Sequence, residues 1–109
     1  MHKKNNEIIL SKVFFALSDP TRRKILRLLL KKDLYATQIS EQFAFKMPTI
    51  SRHLKVLADA NLISRHNEAQ RIRYMLQLEN LNQAQIWIET LGGASLIDYD
   101  KLESLFSTP

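Results

Sequence analysis

The chain has 109 residues, 45% of them hydrophobic, with 2 Gly, 3 Pro and no Cys, which suits one packed domain and excludes disulfides, thiolate metal sites and cysteine nucleophiles. Its net charge of +5 is uneven: residues 1–76 hold 15 Lys/Arg against 6 Asp/Glu, and residues 77–109 hold 1 against 5. The basic part predicts an anionic partner, and the acidic end a separate task.

No apolar run reaches the length of a membrane span, and the opening Met1-His2-Lys3-Lys4 lacks the apolar region of a signal peptide. The expectation is a cytoplasmic protein with no membrane insertion. Leu10, Val13, Phe14 and Leu17 recur at helical spacing and predict a first helix over 7–18. Ile8, Ile9 and Phe15 widen that stripe beyond one small core, which suggests burial against a second chain; a helix wrapped by its own core is the alternative. Asp19 suits an N-cap and Pro20 a first helical position, so a second helix runs from Pro20 to about Lys31. Arg22, Arg23 and Lys24 stand at its start, where cations oppose the helix dipole. Phosphate contact and an ion pair with Asp19 or Glu41 explain this equally well.

A short third helix is expected over 36–44, and a fourth from Met47 to Ala60. Asn61 tolerates the left-handed turn that would end it. From Leu62 the period becomes two, predicting strands over 62–66 and 71–77 around a turn at 67–70 that lacks glycine. A fifth helix starts with Asn80 as N-cap and carries Leu81, Ala84, Trp87, Ile88 and Leu91, until Gly92-Gly93 stops it. The tail, 96–106, has helical spacing compatible with a sixth short helix. Residues 1–92 would form one domain and 93–109 a tail.

Two helices, a short helix, a tight turn, a helix and a hairpin describe a mainly α fold with a β-hairpin wing, a winged helix-turn-helix. On a wheel of the fourth helix, Ile50, Leu54 and Leu57 fall together and Arg52 and Lys55 opposite them, with Thr49 and Ser51 flanking the N-terminal half. Arginine can read guanine, hydroxyls can meet base edges or phosphates, and lysine can neutralise a phosphate. A solvated outer face is the plain alternative for such a helix. His53 lies near the buried side and suits either a DNA contact or a bond to the scaffold. Lys46 and Met47 lead into the helix. In the hairpin Arg71 ranks above Arg65, and both above Arg73, whose stem can lie over apolar surface. The DNA-binding candidates are therefore Lys46, Met47, Thr49, Ser51, Arg52, His53, Lys55, Arg65 and Arg71.

The run Phe15-Ala16-Leu17-Ser18-Asp19-Pro20-Thr21-Arg22-Arg23-Lys24-Ile25-Leu26 resembles the opening of ArsR-type regulators. So does Pro48-Thr49-Ile50-Ser51-Arg52-His53-Leu54-Lys55-Val56-Leu57 with Ala60-Asn61-Leu62-Ile63 after it. The resemblance spans about residues 10–91. It implies a homodimer that occupies double-stranded operator DNA of two-fold symmetry and represses its own or a neighbouring operon. It also implies a dimer interface on the first and fifth helices: Leu10, Val13, Phe14, Leu17, Leu81, Ala84, Trp87, Ile88 and Leu91. Metal-sensing members of that family carry Cys near the third helix or Asp and His pairs along the fifth. Here Tyr35–Ser40 and Leu81–Glu89 hold neither Cys nor His, so the chain resembles the branch without metal sensing. No metal or other cofactor is expected, and the effector is open between a protein and a small molecule. Lys46 stands where a small capping residue is common.

A winged helix serving as a protein-interaction module is the alternative, but it needs an apolar face where Thr49, Ser51, Arg52 and Lys55 stand. An enzyme finds no support: His2, His53 and His66 are scattered, without an acid–base partner.

Overall fold

The computed structural model describes residues 3–92 together with Asp100 and Ser104. Its elements are α1 (Lys3–Leu17), α2 (Pro20–Lys31), β1 (Leu34–Tyr35), α3 (Ala36–Ser40), α4 (Met47–Asp59), β2 (Ile63–Glu68), β3 (Arg71–Leu76) and α5 (Glu79–Glu89). The expected sixth helix and the 93–109 tail lie outside the described residues, apart from Asp100 and Ser104, which are helical. No helix among the described residues is long and apolar enough to cross a membrane.

The core draws on every element. Ile25, Ile39, Ile50, Leu57 and Leu62 are fully buried, and Val13 and Ala84 close it beneath α1 and α5. α1 packs against α2, α4 and α5; α3 bridges β1, β3 and α4. The strands form an antiparallel sheet in the order β1-β3-β2. Leu34 pairs with Tyr74 and Ile63 with Leu76, so one sheet face carries Leu34, Ile63, Ile72, Tyr74 and Leu76 toward the helices.

Local signals set most boundaries. Asp19 caps α2, its carboxylate accepting from the amides of Thr21 at 2.8 Å and Arg22 at 3.2 Å, and Pro20 takes the first position. Asn61 ends the α4 segment with φ of 54°, in the left-handed region that Asn adopts more readily than most residues.

Four expectations need correction. α3 ends at Ser40, not 44, because the amides of residues 41–43 close turns onto Thr37, Ile39 and Ser40 and the chain then bends through 44–45. The hairpin turn is Ala69-Gln70 alone, with Glu68 paired to Arg71. Ala69 takes φ of 54° where glycine would be usual. Asn80 does not cap α5: the cap is Leu78, with no side-chain bond. Asn80 lies inside the helix and its amide donates to the Ala60 carbonyl at 3.0 Å, tying α5 to the end of α4. Finally, α1 begins at Lys3, four residues before the expected start.

Candidate nucleic-acid interface

α4 is held by its apolar side. Ile50, Leu54 and Leu57 are at most 1% exposed, and each such side chain contributes about 1.5–3 kcal/mol by leaving water. The opposite side presents Lys46, Met47, Ser51, Arg52 and Lys55, all exposed, with Thr49 half-buried at the edge. Among the described residues, the side chains of Thr49, Ser51 and Arg52 have no hydrogen-bond partner. Lys55 makes an exposed i,i+4 pair with Asp59 at 3.4 Å, weak enough to yield to a phosphate.

The N-cap of α4 is Lys46, whose side chain makes no capping bond. The backbone explains why this is tolerated. Pro48 has no amide hydrogen, and the amides of Thr49 and Ile50 both donate to the Lys46 carbonyl, at 3.0 and 3.3 Å. The Met47 amide is left as the orphan donor at the positive end of the helix dipole.

His53 is anchored inward. Its Nδ1 lies 3.2 Å from an Arg22 Nη and 3.9 Å from an Asp19 Oδ, with 18% of the side chain exposed. Arg22 is 7% exposed. It donates through Nε to the Ala16 carbonyl at 2.8 Å and through an Nη to the Phe15 carbonyl at 2.9 Å. Arg23 donates to the Leu17 carbonyl at 2.7 Å, and Lys24 to the Gln42 carbonyl at 3.3 Å. The cations at the start of α2 thus bond to backbone carbonyls, and among the described residues none of them forms an ion pair with Glu41. Arg22 and Arg23 satisfy the last carbonyls of α1, whose negative end offsets the cost at α2. Burial opposes ionisation of Asp19, but the Arg22 and Thr21 amides and the charges of His53 and Arg22 hold its carboxyl below the ordinary value of 3.8.

In the wing, register separates the two arginines. Arg65 pairs with Tyr74 and so shares the core-side face, beyond the core, where it is exposed and has no partner among the described residues. Arg71 points to the other face and lies over the Tyr35 ring, its guanidinium carbon 3.4 Å from the centroid. Tyr35 donates its hydroxyl to Glu68 at 2.9 Å. Arg73 is held by Glu68 and by Asp33, both at 2.7 Å. These bonds hold the Glu68 carboxyl below its ordinary range, chiefly through Arg73 and then Tyr35, and raise Arg73 above its own. Arg73 is therefore a structural residue of the wing.

The other expected surface, on α1 and α5, divides in two. Val13 and Ala84, which the family resemblance placed at a dimer interface, are buried inside this chain, at 0% and 4%. Leu10, Phe14, Leu17 and Leu81 are half-buried against the core. Trp87, Ile88 and Leu91 remain exposed, as do Ile8, Phe15 and Ile86; Leu91 stands just past the end of α5. Phe14 meets Trp87 edge-on, with ring centroids 5.7 Å apart. Among the described residues no group of three or more His, Asp or Glu side chains is placed to hold a metal ion.

A buried-backed helix with a free polar N-terminal half, preceded by a short helix and followed by a basic hairpin, defines a winged helix-turn-helix DNA-binding regulator. Residues 19–65 match the family described as bacterial regulatory protein, arsR family. The chain is 44% identical over 79 residues to the transcriptional repressor SdpR of Bacillus subtilis, covering 72% of this chain and 88% of that one. It is 38% identical over 73 residues to an arsenical resistance operon repressor of Staphylococcus xylosus, covering 67% and 70%. Among solved structures, an ArsR-like transcriptional regulator from Rhodococcus superposes with a TM-score of 0.71 at 27% identity, covering 94% of this chain and 92% of that one. The protein belongs to the ArsR family of transcriptional regulators, and it is not an enzyme.

Proposed function

We propose that the protein is a homodimeric repressor that binds a two-fold symmetric operator in its own or a neighbouring operon. The observation that carries this reading is the unpartnered set Thr49, Ser51 and Arg52 on the N-terminal half of a helix whose other side is fixed in the core. Arg52 reads base edges, Thr49 and Ser51 contact bases or phosphates, and Lys46, Lys55 and Arg65 contact phosphates. Arg71 reaches a phosphate with its guanidinium already oriented by Tyr35. Met47 offers its amide to a phosphate. His53 acts chiefly by setting the angle of α4, since its Nδ1 faces Arg22 and Asp19.

Repression is supported by the relatives, two of which are named as repressors. Dimerisation is supported by the exposed Trp87, Ile88 and Leu91 with Ile8 and Phe15. Regulation by something other than metal or thiol chemistry is supported by the absence of cysteine from the sequence, although two relatives are named for arsenical resistance and another for mercury resistance.

Binding to the DNA upstream of its own gene, measured by fluorescence anisotropy against random duplexes over a range of salt, tests the reading. Arg52→Ala should lose about 1–3 kcal/mol of preference for the specific duplex, while Lys55→Ala should mainly lower the salt slope, by about one. Equal losses on specific and random DNA for Arg52→Ala would contradict base reading by that residue.

A further inference from the structure

Phe45 stands in the turn between α3 and α4, directly before the cap residue Lys46. It is 47% exposed, and Met47 beside it is 37% exposed. The residue before an N-cap often packs on the fourth residue of the helix, here Ile50, which is fully buried. Such packing uses one side of the ring and leaves the open half unexplained.

The ring is held in place. It stacks on Phe43 with centroids 6.1 Å apart and planes 19° from parallel. Phe43 packs against the core, and the Lys24 ammonium sits 4.9 Å from the centre of its ring while bonding to the Gln42 carbonyl. The amides of Glu41, Gln42 and Phe43 bond back to Thr37, Ile39 and Ser40. An aromatic side chain ordered in advance loses little entropy when it meets a partner.

It stands directly before Lys46 and the N-terminal half of α4, which carries Thr49, Ser51 and Arg52, the groups that face DNA in the reading above. The major groove presents donors, acceptors and one apolar feature, the C5-methyl of thymine. A recognition helix enters that groove by its N-terminal end, which brings the preceding turn with it. The exposed apolar side chains of α5 are elsewhere: α5 packs on α1, whereas α3 packs on α4, β1 and β3. We infer that Phe45 is a specificity-determining residue whose open face packs on the C5-methyl of an operator thymine, with Met47 extending the contact. This inference rests on the DNA-binding reading and fails separately from it.

The test uses the full chain. Duplexes it retains are selected from a random pool, and the best is resynthesised with dU replacing dT at one position at a time. The exchange removes only the methyl group and leaves base pairing intact. Wild type should weaken about four-fold at one thymine in each half-site, the effect of losing burial of one methyl-sized group. Phe45→Ala should bind dT and dU equally at that position, and Phe45→Leu should keep part of the preference. Thermal melting shows whether both variants fold; if the alanine variant does not, the leucine variant decides, a reduced dT preference supporting the inference and a full one overturning it. Equal binding of dU and dT by wild type at every position overturns the inference, as does a full dT preference in Phe45→Ala. A pool that yields no retained sequence overturns DNA binding itself, and this inference with it.

Discussion

Arg22 joins three segments that have no covalent reason to stay together. Its guanidinium satisfies carbonyls at the end of α1, its backbone amide donates to the Asp19 carboxylate that caps α2, and its outer nitrogen meets His53 in the middle of α4. Arg22→Leu should therefore destabilise the fold by about 1–3 kcal/mol, because the buried Ala16 carbonyl loses its arginine donor while the Phe15 carbonyl keeps only Ser18. Arg22→Lys should recover only part, since an ammonium cannot span the same fork of acceptors; urea unfolding followed by circular dichroism measures both. Ala69 is the opposite case, a residue poorly suited to its place. Its left-handed backbone is costly for a side chain bearing Cβ, so Ala69→Gly should raise stability by up to about 1 kcal/mol, visible as a higher melting temperature with unchanged DNA affinity. The different legibility of these positions has a physical reason. Asn61 advertises its left-handed geometry by residue type and Asp19-Pro20 advertises a helix start, whereas nothing local to Arg22 says that its acceptors lie in the previous helix, and alanine gives no sign of a positive φ.

The wing shows the same limit at the level of elements. Alternation of Ile72, Tyr74 and Leu76 marks a strand, and Ile50, Leu54 and Leu57 mark the inner side of α4, so the two parts of the interface are readable from spacing alone. β1 is not. Two residues, Leu34 and Tyr35, become a strand only because Tyr74 and Arg73 arrive from about 40 positions away to pair with them. That pairing builds the Asp33–Arg73–Glu68–Tyr35 chain and puts Arg71 on the Tyr35 ring, contacts that no periodicity contains. They make the stiffness of the wing dependent on pH. The folded pKa of Glu68 is held below its ordinary value of 4.5, so its contribution is complete above that value and fades as pH falls through the folded one. Glu68→Gln should lower the melting temperature at pH 7 and make little difference in strong acid; a constant gap between the two proteins across that range would contradict the ion-pair role.

At the scale of the whole molecule, charge and exposed apolar surface lie apart. The basic residues gather before position 77, and the exposed Trp87, Ile88 and Leu91 lie on and just after α5. In the proposed dimer Trp87→Ala should weaken self-association by about 2 kcal/mol, the cost of losing an aromatic anchor, while leaving the monomer folded because Val13 and Ala84 keep the core closed beneath it. Sedimentation across a concentration series measures this, and an unchanged dimer would place the interface elsewhere. Val13 and Ala84, which the family resemblance placed at the interface, are already buried within one copy, and a stripe on one helix cannot say whether its own chain or another covers it. Hydroxyl-radical footprinting of the full chain on a genomically selected duplex bears most directly on the claim that two copies present α4 to a symmetric operator. The predicted result is two equivalent protected half-sites, centred about one helical turn apart or a multiple of it, with protection lost as salt rises. A single asymmetric footprint, or uniform protection without sequence preference at low salt, would contradict it.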